Sequence, residues 1–336
     1  MKSNVLVSIR NLVKHFDISG GWLEQLHFTG GKPALKKILV KAVNNVSFDI
    51  EKGQTVSVVG ESGCGKSTLA RTVVGLYPPN GGEVYYRDKR IDNLNENQRK
   101  PYKTKMQMVF QDPYASLNPR MTVEKILKEP IRFHNSQLNE KEIKEKVVTV
   151  MEQVGIDPEW QDRYPHEFSG GQRQRISIAR ALTVDPDFIV ADEPIAALDV
   201  SIQAQILNLM MDLQEKNNLT YLFISHDLSV IQHISDKVAV MYLGSLCEFG
   251  EAEQLFESPR HPYTQALLSA IPEIGKDFSH KKLSGDVPTP INLPPGCVFS
   301  TRCPHAREKC RQQIPPIETR ENNMQVACHG VTEGWL

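Results

Sequence analysis

The stretch Gly60-Glu61-Ser62-Gly63-Cys64-Gly65-Lys66-Ser67-Thr68 decides the reading of this chain, because it fits the pattern G-x-x-x-x-G-K-S/T at every fixed position. The β-branched apolar run Gln54 to Val59 precedes it and reads as a buried strand. Ser67 to Leu76 follows and reads as the opening of a helix. Strand, glycine-rich turn and helix in that order are the context in which such a loop binds phosphates. Gly60, Gly63 and Gly65 let the backbone curl so that successive N–H groups face inward, and the helix adds the positive end of its dipole. Lys66 is then placed to reach the β- and γ-phosphates of a nucleoside triphosphate, and the Ser67 hydroxyl to complete a magnesium shell. A glycine-rich turn without ligand is the bland alternative, and both flanks argue against it.

Bulk properties bound the rest of the chain. At 336 residues it exceeds one average domain, so the expectation is one large core plus a smaller appendage. Charged residues make up 24% and the formal net charge is -1, which gives no general electrostatic drive toward nucleic acid or anionic lipid. No run approaches the ~20 apolar residues needed to cross a bilayer, and Met1 to Arg10 lacks the apolar core of a secretory signal. These features predict a chain that stays in the cytosol. Six cysteines are too few for a disulfide scaffold, and four of them, Cys297, Cys303, Cys310 and Cys328, fall late.

Upstream of the loop, Val5 to Arg10 alternates as an edge strand does. Phe16 either stacks on an adenine or packs as an ordinary hydrophobe. Asp17 to Lys41 reads as an irregular insertion around Trp22, Leu23, Leu26 and Phe28, either folding over a partner or forming a mobile loop with an apolar anchor. Ala42 to Ile50 reads as a strand antiparallel to Gln54–Val59 across the Glu51-Lys52-Gly53 turn.

Downstream, Glu83 to Tyr86 and Met106 to Phe110 read as strands, and the second presents Gln111 where Asp112-Pro113 forces a turn. Thr122 to Gly155 reads as helical, with Pro130 closing one helix and Asn139 or Ser136 capping the next. Phe168-Ser169-Gly170-Gly171-Gln172 opens a helix that is a second anion-ready start. Asp187 to Ala191 is a buried strand that delivers Asp192 and Glu193 at its end. Two adjacent acids there crowd negative charge, which favours a magnesium ligand beside a base. Asp199 leads into a helix from Ser201 to Glu215, and the strand Thr220 to Ser225 ends at His226. That histidine is either surface filler or a phosphate contact, and its neighbours at other strand ends favour the contact. Lys237–Tyr242 and Ser245–Phe249 read as a hairpin. His261-Pro262-Tyr263 opens a last helix, and the proline-dense remainder reads as a separate, weakly structured tail.

With Gly60 to Thr68, Gln111, Ser169 to Gln172, Asp192-Glu193, Asp199 and His226 in this order, the chain resembles an ABC transporter ATPase subunit over roughly residues 5 to 255. Phe110 to Arg120, the His261-Pro262-Tyr263-Thr264 start and the cysteine-bearing tail resemble the oligopeptide and dipeptide importer branch. The resemblance implies an α/β fold: a P-loop, RecA-like nucleotide-binding domain over 1–258 with an antiparallel β subdomain and a helical subdomain at about 112–168. A small cysteine-containing C-terminal region follows over 259–336.

The resemblance also implies roles. Phe16 stacks on adenine, and the loop from Gly60 through Glu61, Ser62, Gly63, Cys64, Gly65, Lys66, Ser67 and Thr68 binds the phosphates of ATP. Ser67 and Asp192 hold Mg2+, and Gln111 lies beside metal and water. Glu193 polarises the attacking water and His226 holds the γ-phosphate. Ser169, Gly170, Gly171 and Gln172 close on the ATP of a facing subunit, and Asp199 links the two sites. Ala196 stands where the family often has serine.

Implied partners are a second ABC ATPase subunit, related or identical, two transmembrane permeases and, indirectly, an extracytoplasmic solute-binding protein. The implied location is the cytoplasmic face of the cell membrane, as a peripheral protein. A di- or oligopeptide is the implied solute, with nickel or glutathione as alternatives. A soluble ABC ATPase acting on nucleic acid or ribosomes is the rival reading, disfavoured by a single motif set and the lack of a basic patch.

The cysteine spacing, with five, six and seventeen residues between successive members, is not that of a C-x-x-C zinc knuckle. By its residues, the tail holds a 4Fe–4S cluster, zinc or nothing, and family resemblance favours the cluster on Cys297, Cys303, Cys310 and Cys328. His305 and His329 keep zinc as the alternative. Cys64 and Cys247 read as small apolar fillers.

Overall fold

The computed structural model describes residues 4–20, 26–29, 32–35, 37–135, 137–270 and 288–336. The strands in chain order are β1 (Val5–Asp17), β2 (Leu26–Thr29), β3 (Lys32–Leu35), β4 (Leu39–Glu51), β5 (Thr55–Val59), β6 (Gly81–Tyr86), β7 (Lys89–Arg90), β8 (Met106–Val109), β9 (Phe188–Asp192), β10 (Thr220–Ile224), β11 (Lys237–Tyr242), β12 (Ser245–Glu251), β13 (Glu318–Thr319) and β14 (Gln325–Val326). They form a four-stranded sheet ordered β4-β1-β6-β7, an eight-stranded sheet ordered β13-β14-β12-β11-β5-β10-β9-β8, and the separate hairpin β2-β3.

Within the large sheet, β11, β5, β10, β9 and β8 run parallel. Their sequences are mostly apolar, with Ser57 and Gln107 the polar interruptions of β5 and β8, because both faces of the central strands are covered, as parallel strands require. All five residues of β5, β9 and β10 are buried. Successive side chains of β5 point to opposite faces, so Val56 and Val58 join one core with Leu69 and Ala70, while Val59 joins the other.

The small antiparallel sheet differs from its sequence reading in two ways. β1 is not an edge strand but lies between β4 and β6. β4 does not pair with β5: the Glu51–Gly53 turn carries the chain from one sheet to the other, and β4 finds its partner in β1, with Phe16 opposite Val40.

Between β8 and β9 lie the helices Val123–His134, Glu140–Gln153 and Gly170–Leu182. The first two bury Val123, Ile126, Leu127 and Ile131 and Ile143, Val147, Val150 and Met151, spaced as one helical stripe each. Pro130 lies inside the first helix rather than closing it. The buried stripe continues to Ile131 beyond it, and packing holds the helix through the lost N–H. Asn139 caps the second helix, its side chain accepting from Lys141 N–H at 3.0 Å and Glu142 N–H at 3.1 Å. Ser136, the other candidate cap, and Trp22 and Leu23 of the insertion lie outside the described residues.

The tail is not an independent, weakly structured piece. β14 pairs with β12 and β13 pairs with β14, so the chain beyond Pro288 extends the main sheet, and Phe299 belongs to the main core. Among the described residues no helix is long and apolar enough to cross a membrane.

Candidate active site

Register builds the site. Ile224 of β10 lies beside Asp192 of β9 and also beside Val58 of β5, and Val109 of β8 lies beside Ala191 of β9. Four parallel strands therefore end at one level, where the chain leaves β5 as Gly60–Thr68, β8 as Gln111, β9 as Glu193 and β10 as His226. The crevice at the carboxyl ends of parallel strands is where such sheets bind ligands.

The phosphate loop is wedged between backbones. Gly60 has φ 150° and a Cβ there would sit 2.1 Å from the Met241 carbonyl oxygen; Gly65 has φ 105° and a Cβ would sit 2.0 Å from that of Ala42. Both positions exclude any side chain. The helix Lys66–Val73 starts directly from Gly65 with no side-chain cap, which leaves its first N–H groups to a ligand. Lys66 Nζ donates to the Gly60 carbonyl at 2.7 Å and the Glu61 carbonyl at 3.2 Å, so the buried ammonium spans the loop mouth. Ser62 and Gly63 are exposed, and Cys64 is buried with its thiol pKa raised by that burial.

Ser67 Oγ donates to Asp192 Oδ1 at 2.8 Å. Asp192 is fully buried, and burial raises its pKa against the lowering effects of Ser67 and Arg71. Its Oδ2 has no hydrogen-bond partner among the described residues, and only the Arg71 guanidinium approaches, at 3.6 Å. A buried carboxylate oxygen without a donor, beside a serine hydroxyl, fits a hard cation that takes its remaining ligands from phosphates and water. Arg71 was not singled out in the sequence; its position one helical turn after Ser67 was the available signal.

Glu193 is held in the left-handed region, with φ 47°, and its N–H donates to the Ile224 carbonyl at 3.0 Å. That conformation is costly for a non-glycine residue. Gln111 Nε2 donates to Glu193 Oε2 at 3.0 Å, and His226 Nδ1 lies 3.4 Å from the same oxygen. The structure thus brings together Gln111, Glu193 and His226 as one group, and Ser67 with Asp192 as another.

The remaining candidates stand elsewhere. Ser169 caps the helix Gly170–Leu182 in a reciprocal box with Gln172, and makes no hydrogen bond to the phosphate loop among the described residues. A Cβ on Gly170 would lie 3.4 Å from Leu198 Cδ2 and one on Gly171 2.5 Å from Ile202 Cγ2, so this helix start and the exposed Asp199 share one surface. Phe16 is half-buried, packs edge-on against Tyr77 at 5.4 Å and lies beneath Lys14 Nζ at 4.9 Å.

The thiols of Cys297, Cys303, Cys310 and Cys328 line one small cavity together with His305. Burial pushes Cys297 up to about 12 and raises Cys303 and Cys328. The donor set has the softness an iron–sulfur cluster or zinc requires. It is not drawn together as a ligand set: among the described residues no group of three or more histidine, cysteine or acidic side chains has metal-holding geometry.

A phosphate loop, a buried acid beside its serine and a second acid with an amide and an imidazole define a nucleoside triphosphatase site. Residues 43–196 match the family described as ABC transporter, and residues 247–310 match the oligopeptide/dipeptide transporter C-terminal region. The chain is 51% identical over 329 residues to the oligopeptide transport ATP-binding protein AppF of Bacillus subtilis, covering 96% of this chain and 97% of that one. It is 52% identical over 297 residues to the dipeptide transport ATP-binding protein DppF of Escherichia coli, covering 88% of each. Among solved structures, the ATP-binding cassette MJ0796, a dimer in a post-hydrolysis state with ADP and phosphate, matches with TM-score 0.62 and 26% identity, over 74% of this chain and 99% of that one. The chain belongs to the ABC transporter family, among the ATP-binding subunits of its oligopeptide/dipeptide branch. It is an ATPase by that membership.

Proposed function

We propose that this chain is the energy-coupling subunit of a membrane importer for di- or oligopeptides, hydrolysing ATP between itself and a second ATPase subunit. The observation that carries the hydrolytic part is the Glu193 carboxylate, 3.0 Å from the Gln111 amide and 3.4 Å from His226, beside the phosphate loop. In this reading Glu193 takes the proton of the attacking water, Gln111 and His226 orient that water and the γ-phosphate, and Lys66 with the loop amides holds the β- and γ-phosphates. Ser67 and Asp192 would hold Mg2+, which would supply charge neutralisation for the phosphates. Phe16 stacks on the adenine.

The shared surface of Ser169–Gly171 and Asp199 supports the dimer part: a helix start at Ser169 closes on the nucleotide of the facing subunit. Hydrolysis removes the shared γ-phosphate and opens the pair, and the helical region at about 112–168 passes the motion to two permeases at the cytoplasmic face of the membrane. The nucleotide-binding domain spans 1–258 and the C-terminal region 259–336. The names of the relatives support a peptide solute, delivered by an extracytoplasmic binding protein. Cys297, Cys303, Cys310 and Cys328 would draw together around a 4Fe–4S cluster, with zinc as the alternative; iron and sulfide analysis of anaerobically purified chain, with Cys303→Ser as control, decides between them.

The deciding experiment is Glu193→Gln. Hydrolysis is expected to fall by about 10²–10⁴-fold while ATP binding persists and a closed dimer accumulates with ATP. Turnover near the wild-type rate would remove Glu193 as the base.

A further inference from the structure

The second residue of the phosphate loop is fastened to the C-terminal tail. Arg302 Nη1 lies 2.7 Å from Glu61 Oε2 and Nη2 3.1 Å from Oε1, a two-pronged ion pair across 241 residues of sequence. Glu61 N–H donates to the Tyr263 hydroxyl at 2.9 Å, and the Glu61 carbonyl accepts from Lys66 Nζ at 3.2 Å. All three polar parts of one loop residue are therefore engaged, two of them by the region beyond 258.

The fastening is itself rigid. Tyr263 and Phe299 are fully buried and pack with Tyr242 at ring distances of 4.7 and 5.3 Å. Arg302 N–H donates to the Phe299 carbonyl at 3.0 Å, which holds the guanidinium's backbone in a turn anchored by that ring. Arg302 has 7% of its side chain exposed and Glu61 25%, so the ion pair is partly shielded from water and salt.

Charge explains why such a fastening matters here. Glu61 is an acid within the loop that must accept a polyanion, and its carbonyl already touches the Lys66 ammonium. A carboxylate released from Arg302 would compete with phosphate for Lys66 and repel the phosphates directly. We propose that Arg302 and Tyr263 are positioning residues for ATP binding: they hold Glu61 so that its charge is neutralised and Lys66 is left to the phosphates. This rests on the reading of Gly60–Thr68 as the nucleotide site, and gives the tail a part in that site which none of the similarities assigns.

The test uses the full chain, titrated with ATP and assayed for steady-state hydrolysis, with Lys66→Ala as control. Arg302→Met is expected to raise KM and Kd for ATP about tenfold with kcat within about twofold. Adding Glu61→Gln to Arg302→Met is expected to restore most of the affinity, because the neutral amide neither repels phosphate nor draws Lys66. Arg302→Lys should fall between, keeping the charge but losing the fork. Tyr263→Phe, which keeps the ring, should raise Kd about threefold and serves should Arg302→Met fail to fold. An unchanged affinity in Arg302→Met or, in its place, in Tyr263→Phe overturns the proposal, as does a loss that Glu61→Gln does not relieve. If Lys66→Ala also binds ATP normally, it is the nucleotide-site reading that fails.

Discussion

Buried ionisable side chains set the sharpest constraints on this chain, and His261 is the clearest of them. It is 2% exposed, caps the helix Pro262–Leu268 by accepting the Tyr263 N–H on Nδ1 at 3.0 Å, and burial lowers its pKa to about 4. The unfolded chain takes up that proton near pH 6.5, the folded chain only near 4. Stability from the neutral imidazole is therefore complete above pH 6.5 and is lost as pH falls to about 4, by about 3 kcal/mol. Glu248, whose carboxylate accepts the His261 N–H at 3.0 Å and whose pKa burial raises, works in the opposite sense. Comparing melting temperatures of wild type and His261→Asn from pH 7 to 4 isolates the imidazole. The difference should shift toward the variant as pH falls, and parallel curves would contradict it. The sequence located His261 only as the first residue of a motif; its burial depends on a tail more than thirty residues away, which no local pattern encodes. The placement of Lys66, Ser67, Asp192 and Glu193 around one crevice was legible because short motifs at the ends of apolar strands fix it. Arg302 and Tyr263 were not, since their partner Glu61 is distant in sequence.

Among the elements, the parallel strands were legible with good boundaries because short, mostly apolar runs bounded by turn residues have few other solutions. Pairing was less legible: β4 and β5 look like a hairpin across a glycine turn, yet each finds a better-covered neighbour in a different sheet. Pro130 is the other departure. A proline at the eighth residue of the helix Val123–His134 removes one backbone hydrogen bond, and the stripe through Ile126, Leu127 and Ile131 compensates. Pro130→Ala should accordingly raise stability by about 1–3 kcal/mol, read as a higher denaturation midpoint with an unchanged slope. A lower midpoint would mean that the proline's shape, not its missing donor, matters in this packing.

At the scale of the whole molecule, the expected two-part organisation meets a tail that shares the main sheet and core. Composition misled here: proline density at Pro288, Pro290, Pro294 and Pro295 signals irregular backbone, not absence of anchoring. The tail is anchored at discrete points, Phe299 in the aromatic cluster, Arg302 on Glu61 and β14 on β12, and each is a long-range contact.

The β12–β14 pairing has a consequence for how this chain behaves among its own copies. Among the described residues Glu248 pairs with Val326 and Phe249 with Gln325, and the Ala327 N–H donates to the Cys247 carbonyl just beyond them; these few rungs, with β13 outside them, occupy the rim of an eight-stranded sheet. Remove them and β12, five of whose seven residues are buried, becomes a bare apolar edge with free N–H and C=O groups, the template on which strands of different molecules join. A chain ended after Leu268 should therefore sediment as concentration-dependent oligomers, and should depend on chaperones during synthesis, where the full chain does not. The short tail strands cover the β12 edge of the main sheet, and the truncation reads what that cover prevents.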